Sequence, residues 1–549
     1  MTTLTLTKGP RPAGVIDTDI LVVGAGPAGL ATAITAARHG ARVLVVERRP
    51  GTSTVPRATG VSSHTMELFR IWGIADAVRD ASVTSEPTMA VRRTLADEPL
   101  AVVPLGFPSL REALRASPEL PALCPQDLIE PLLAERLRTL GGQVEFGARL
   151  TGLRHDAAGS ILAAVGGHRV RARFVVGADG PRSTVRSLLG IGVEHLGTLG
   201  GHALVVFRPD VTARLGSRPH ALNMIVGDPE AEGILLPAGA GRWIYSRPWP
   251  VAESGRPEDR PPGYWDGLIR SATGLPSLQP ETLTVSWFTM AAEVATAYRH
   301  GAGFLVGDAA HRMTPVGGRG MNTAIHDGHE LGWRLAWAVR GLAGEALLDG
   351  YRAEREPVGR ANAERSLRRG EPDAGDGLAA DLGGTYRSAT VADDRAAAPP
   401  AGYHRDARPG QRAPHVWLRL GGRRTSTLDL FENRMTLVTG QEGSSWRRAA
   451  DGLPSGGSSP PVHVLVAGRD LADDRGHLRQ AYRLGGQSAV LIRPDGVIAW
   501  RQDGSCQTPG ATLRFALRTA LGLAGPKDPY PIRWRVSPDR SEAPVLARR

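Results

Sequence analysis

Apolar and polar positions recur along this chain with two different periods, and each change of period marks an element. The apolar run Ile20–Val23 leads into a cluster of glycines. Helical spacing then reaches about His39, where Gly40 can end the helix. A second apolar run, residues 42–47, completes a predicted strand–helix–strand unit. Helical spacing returns over 63–80 and 126–140, and two-residue alternation covers 143–176. A β-rich stretch punctuated by prolines runs from about 195 to 290, followed by a short strand at 304–307, a glycine-rich turn and a helix from about 320 to 340 that stops at Gly341.

Residues 371–403 are rich in Ala, Asp, Gly and Pro and read as a linker. Shorter strands follow at 434–440, 462–468 and 488–501, and the last holds Pro494-Asp495-Gly496 between two β runs, a hairpin signal. A helix is expected over 511–522. No internal repeat is visible.

Composition narrows the function. The chain has 549 residues and a net charge of +11, but its arginines are scattered, with no dense basic run of the kind that binds nucleic acid. Lys8 and Lys527 are the only lysines, and both stand near a terminus, which argues against a catalytic lysine. The two cysteines, Cys124 and Cys506, lie far apart and form no CxxC or Cys/His cluster. That excludes a zinc site, a disulfide framework and a redox dithiol, and free thiols suit a reducing cytoplasm. Residues 1–15 lack the apolar core of a signal peptide and read as a flexible leader. The uncharged run 20–37 is long enough to suggest a membrane span, but Gly24, Gly26, Pro27 and Gly29 break it into strand, turn and helix.

Gly24-x-Gly26-x-x-Gly29 follows a strand, opens a helix, and has Glu47 at the end of the next strand, about 20 residues on. In such a unit the first glycine permits the tight turn. The second lets backbone approach a pyrophosphate, and the third lets helix and strand pack closely. The helix N-terminus offers N–H groups to phosphates, and Glu47 can accept ribose hydroxyls. A second motif, Gly177-Ala178-Asp179-Gly180-Pro181-Arg182, follows the strand at 173–176. A third, Gly307-Asp308-Ala309-Ala310-His311, follows the strand at 304–306. An aspartate on the buried side of a strand end needs partners, and the ribityl hydroxyls of FAD would serve where NAD has none. A plain helix N-cap is the other reading of Asp308.

In this order the three motifs resemble the single-component FAD-dependent monooxygenases of the para-hydroxybenzoate hydroxylase type, over about residues 18–370. Pro56-Arg57-Ala58-Thr59-Gly60, Thr65-Met66-Glu67, Pro125-Gln126-Asp127-Leu128 and the run His311–Asn322 extend the likeness. His64 departs from it, because many relatives carry arginine there. The segment Leu491–Gly496 with Trp500-Arg501 resembles the thioredoxin-like domain appended to bacterial aromatic polyketide hydroxylases, here without CxxC.

The resemblance implies an α/β fold: a Rossmann-type, glutathione-reductase-like FAD-binding domain (16–190 and 291–370), a β-sheet substrate domain (191–290), and a thioredoxin-like domain (404–549). It implies FAD contacts from Gly24, Gly26, Pro27, Ala28, Gly29, Glu47, Arg48, Arg57, Gln126, Asp179, Gly307, Asp308, Pro315, Gly318, Gly320, Met321 and Asn322. Pro315, Gly317 and Gly318 would leave room for the flavin C4a-hydroperoxide, and the helix start at Met321 and Asn322 would stabilise the reduced flavin's negative edge. NAD(P)H is expected as a transient hydride donor, because no second GxGxxG opens a helix after a strand. The implied reaction inserts one oxygen atom from O2 into a small polycyclic aromatic substrate of polyketide type, most simply by hydroxylation. Baeyer–Villiger-type oxygenation, a hydride-only oxidoreductase and a flavin-binding protein without turnover stay open. Absent cysteine pairs and lysines exclude flavin disulfide reductases and halogenases. His202, His220, Tyr245 and Arg247 fall in the expected substrate domain without an assignable role. A monomer or homodimer in the cytoplasm, with no nucleic-acid or membrane partner, is expected.

Overall fold

The computed structural model describes residues 14–523 except 106–109, 157–158, 216–218, 369–376, 393–405, 455–459 and 474. The expected leader (save Gly14 and Val15), Lys8 and Lys527 lie outside the described residues. The chain forms two compact units. One comprises residues to Leu114, Glu119–Gly332 and Arg355–Gly377. The other comprises Arg115–Pro118, Trp333–Glu354 and the chain from Leu378. Four of the divisions fall inside helices: Leu110–Ala116, Gly320–Val339, Glu345–Arg365 and Gly377–Leu382. None of the described helices is long and apolar enough to cross a membrane.

The first unit holds two eight-stranded sheets. In one, five parallel strands stand in the order Gly303–Leu305, His168–Gly177, Val15–Val23, Val43–Glu47, Gln143–Phe146. Parallel strands are covered on both faces, so their sequences run apolar without alternation. Ile20, Leu21 and Val22 accordingly have no exposed surface. The carboxyl ends of Val15–Val23, Val43–Glu47, His168–Gly177 and Gly303–Leu305 share one edge. The turns that leave the first, third and fourth of these are the glycine motifs of the sequence.

The second sheet has the order His311–Arg312, Glu281–Ala295, Val193–Arg208, Trp243–Pro248, Gly233–Pro237, His220–Ile225, Glu86–Arg92, Ala101–Pro104. Its pairings are antiparallel except that of His220–Ile225 with Glu86–Arg92. Side chains alternate between its faces. Ala203, Val205, Phe207, Trp243 and Tyr245 point to one face and pack in a core with Trp265 and Ile269 of the helix Tyr264–Thr273. Leu204, Val206 and Ile244 point to the other, where Val55, Leu236 and Phe288 join them. This sheet corrects the expected 191–290 boundary, since it takes in residues 86–104 and ends on residues 311–312. Glu86–Arg92 pairs on one side with the neighbouring strand Ala101–Pro104, but the strand that joins it to the rest of the sheet, His220–Ile225, lies far downstream, so no local period announces that pairing.

In the second unit a four-stranded sheet runs Val462–Val466, Met435–Thr439, Ala489–Ile492, Ile498–Gln502, the first pair parallel and the others antiparallel. Helices Ser444–Asp451 and Pro509–Ala520 pack together. Four charged side chains with no exposed surface lie deep in this unit: Arg334, Glu354, Arg493 and Asp495. Glu354 accepts from Arg334 and from both terminal nitrogens of Arg493 (2.8 Å each). Asp495 accepts from Arg493 (2.7 Å) and from the Trp333 indole (3.1 Å). Burial alone would raise the Glu354 carboxyl, but Arg493 and Arg334 outweigh it and hold the group below its ordinary range. Two positive and two negative groups cancel, which is what makes the burial tolerable. The hairpin signal Arg493-Pro494-Asp495-Gly496 therefore also carries half of an ion network. The stretch read as a linker is structured where it is described: Gly377–Leu382 is helical and Thr390 is fully buried.

Candidate active site

The glycine turn has the expected division of labour. Gly24 adopts φ +109°, and a Cβ there would stand 2.2 Å from the Ala178 oxygen. A Cβ on Gly29 would stand 2.0 Å from the Gly24 oxygen, whereas one on Gly26 would meet nothing within 4 Å. Two glycines are thus forced by packing, and the third leaves open space beside the start of the helix Pro27–Arg38. That helix has Pro27 in its first turn and no side-chain cap at Gly26. Its first-turn N–H groups lack intrahelical partners and face the phosphate position of the motif. Ala28 packs under Gly307, where a Cβ would stand 2.9 Å from the Ala28 Cβ.

Glu47 is buried, and its carboxylate accepts from the Ala25 N–H (3.0 Å) and the Arg49 N–H (2.9 Å). It holds the turn, with further lone pairs to accept ribose hydroxyls. Arg48, implied beside Glu47 at the adenosine half, is exposed, and the guanidinium that meets Glu47 belongs to Arg49 (3.3 Å).

Asp179, implied as a cofactor-side contact, serves within the protein as a helix cap. Its carboxylate accepts from the Ser183 hydroxyl and from the N–H groups of Thr184 (2.6 Å) and Val185 (3.1 Å), capping the helix Thr184–Leu188. Arg186 of that helix donates to the Ala309 oxygen (2.9 Å), so the second motif braces the third.

Asp308 was expected on a buried side. Instead it lies in the tight turn Gly307–Ala309 with its side chain exposed, and it makes no hydrogen bond or ion pair among the described residues. The protein crowded around it raises its carboxyl pKa, against the pull of His311, Arg312 and Arg57. Water reaches this carboxylate, yet it is walled by protein and offers free acceptors. Arg57 stands within electrostatic reach of Asp308 and of Glu130. Glu130 is buried and accepts from the Ser53 N–H (2.6 Å) and from the Gln126 amide (2.6 Å). For Gln126 the amide oxygen is the group left to accept a hydroxyl.

The turn at 315–318 is closed by Gly318 N–H donating to the Pro315 oxygen (3.1 Å), with Gly317 and Gly318 both at positive φ. Pro315, Gly317 and Gly318 are exposed, and the helix Gly320–Val339 begins directly after them. Met321 is buried. Asn322 was expected to act through its backbone, but its side chain is a clamp. Its amide donates to the Gly60 and Gly318 oxygens (3.1 Å each) and accepts from Ser62 N–H (2.9 Å) and the Thr65 hydroxyl (2.8 Å). His64, the departure from the family, stacks on His326 with centroids 4.1 Å apart. Burial, then His64, Arg355 and His329, push the His326 pKa well down, so it stays neutral at neutral pH.

The strongest feature missed in the sequence is Asp327. It is fully buried and accepts from Gly307 N–H (3.1 Å), His311 Nε2 and Arg355 Nε (2.8 Å). Burial alone would raise its carboxyl, but His311 and Arg355 outweigh it and hold it below its ordinary 3.8. A carboxylate inside the apolar face Ala324, Ile325, Gly328, Leu331 was the available signal.

Of the four unassigned residues, two are excluded from the face that packs against Val55. Tyr245 points to the opposite face and its hydroxyl donates to the Ala231 oxygen (2.8 Å). Arg247 lies two residues further along the same strand and therefore shares that face. His220 alternates with Leu222 and Met224 onto the Val55 side, at the start of its strand, where it bonds the Thr88 hydroxyl (2.7 Å). His202 points with Leu204 and Val206 in the middle of the sheet. Burial raises the Cys124 thiol to about 12, which makes it inert. Among the described residues no His/Cys/Asp/Glu group could hold a metal ion.

Comparison with known proteins agrees with this geometry. Residues 17–366 match the FAD binding domain family, and residues 406–524 match the aromatic-ring hydroxylase C-terminal family. An aklavinone 12-hydroxylase of Streptomyces purpurascens is 36% identical over 92% of this chain and 99% of its own. A tetracenomycin B2 monooxygenase-dioxygenase of Streptomyces olivaceus is also 36% identical, over 92% and 99%. A crystal structure of aklavinone-11 hydroxylase with FAD and aklavinone matches with a TM-score of 0.84 and 34% identity, covering 93% of this chain and all of that one.

Proposed function

The chain belongs to the FAD-binding aromatic-ring hydroxylases, and from that premise we propose that it hydroxylates a flat, polycyclic aromatic substrate of polyketide type, using NAD(P)H and O2. It is an FAD-dependent monooxygenase. The observation that carries the substrate class is the sheet face next to Val55. Leu222, Met224, Ile234, Leu236 and Phe288 project there only half-buried, beside the fully buried Leu204 and Val206. An apolar face left partly open beside a cofactor cleft suits an apolar ligand, with few polar groups to orient it.

Bound FAD supplies hydride acceptance and oxygen activation; the chain supplies position and electrostatics. The open space at Gly26 and the helix start at Pro27 would take the pyrophosphate. Glu47 would take the adenosine ribose, and Asp308, Arg57 and Gln126 the ribityl region. The exposed turn Pro315–Gly318 and the N–H groups opening the helix at Gly320 would face the flavin ring. The helix's positive end there favours negative charge by about 0.3–2 kcal/mol. Asn322 and Asp327 hold these segments in register, and the apolar sheet face excludes water from the reacting ring. A soluble, cytoplasmic enzyme is the accompanying reading.

Labelled O2 tests the function. Turnover of a polycyclic aromatic with NADPH should place one labelled oxygen in the product, and label found only in water or H2O2 would overturn the reading. Asp308→Ala tests the cofactor site. Loss of one or two hydrogen bonds to a charged acceptor costs about 1.5–3 kcal/mol, so FAD affinity should fall roughly tenfold to hundredfold while the unfolding midpoint of the apoprotein stays put. Undiminished FAD affinity on titration would remove Asp308 from the site.

A further inference from the structure

On the apolar sheet face two polar side chains stand together. His202 and Ser246 lie on adjacent antiparallel strands, with His202 Nδ1 3.5 Å from the Ser246 hydroxyl. The His202 ring lies against Phe288, centroids 6.0 Å apart. Their register neighbour Leu204 belongs to the apolar set, as do Val206 and Ile244 beyond it. A polar pair set into such a face costs desolvation once a ligand covers it, unless the ligand returns a hydrogen bond.

The pair also stands at the right end of the face. Glu281–Ala295 pairs antiparallel with His311–Arg312, Glu293 opposite Arg312. The chain leaving Arg312 toward the turn at 315–318 therefore starts back in the direction of Phe288. Arg312 donates to the Thr289 oxygen (2.6 Å), next to Phe288.

We propose that His202 and Ser246 form a polar anchor for a ring hydroxyl of the substrate. The substrate O–H donates to the imidazole, and the serine hydroxyl donates to the substrate oxygen. With Leu204, Val206, Ile244 and Phe288 packed beside it, this contact fixes the orientation of the flat skeleton and so which carbon is presented for oxygenation. The proposal rests on the functional reading above.

The test uses the FAD-loaded full-length enzyme, a hydroxyanthraquinone and its methyl ether. Binding is read by quenching of flavin fluorescence, and turnover by product analysis. Wild type should bind the free hydroxyl at least tenfold more tightly than the ether, because a site built for a hydroxyl leaves its polar groups unpaired with the ether. His202→Phe should bring that ratio below about threefold and mix the product regioisomers, Ser246→Ala should fall between, and His202→Asn should restore part of the preference. An equal ratio in wild type and His202→Phe, or none in wild type, overturns the anchor whatever turnover does. If His202→Phe fails to hold FAD, the ratios of His202→Asn and Ser246→Ala decide: both unchanged from wild type overturns the anchor. An intact ratio with no labelled oxygen in wild-type product overturns the functional reading and leaves the anchor standing.

Discussion

Asp327→Asn should give a protein that purifies with little FAD and unfolds about 3–5 kcal/mol more readily, the range for leaving a buried ion pair with one partner. The variant keeps the size of the side chain but not its charge. Arg355 and His311 then face a neutral amide, whose single oxygen must replace two that served Gly307, His311 and Arg355. Because Gly307 precedes Asp308, the loss reaches the cofactor site without touching it. The pH dependence carries a sign. The carboxyl is held below its ordinary value in the folded protein, so its contribution is fully present above the unfolded value of about 3.9 and is lost only as pH falls through the lowered one. Urea unfolding followed by tryptophan fluorescence should show a wild-type advantage that is level from about pH 5 to 8 and shrinks below about pH 4. An advantage under about 1 kcal/mol at neutral pH would show that the pair does not bear on stability.

The second large effect lies in the other unit. Glu354→Gln should destabilise it by about 3–5 kcal/mol, since Arg334 and Arg493 would share one carboxylate, Asp495, in a place with no exposed surface. Removing charge from both sides, as Glu354→Gln with Arg493→Met, should recover part of the loss, because each unpaired charge costs more than the pair contributes. Denaturation read by tryptophan fluorescence decides it: a double variant less stable than Glu354→Gln contradicts the charge-balance account.

The sequence made the parallel sheet and its turns legible because their causes are local. A glycine that must approach another backbone, as Gly24 and Gly29 do, leaves a fixed spacing beside an apolar run. What stayed hidden depends on residues far apart. Asp327 reads as one polar residue in a helix until Arg355 and His311 close around it. The Asn322 clamp needs Gly60, Ser62 and Thr65. Asp179 and Asp308 look alike in sequence, each at a strand end beside a glycine. They separate because a helix starts within reach of one carboxylate and not the other. His202 and Tyr245 have equal standing as letters, and only strand register puts them on opposite faces.

Charge pairing in the second unit also bears on how such enzymes can be recombined. A chimera spliced at residues 371–403, where composition suggests a joint, would take Arg493 and Asp495 from one parent and Arg334 and Glu354 from the other. Exchanges between relatives that differ at any of the four positions would arrive with a surplus charge sealed inside. The interchangeable piece therefore includes residues 333–354, and shuffling should respect that seam rather than the visible one.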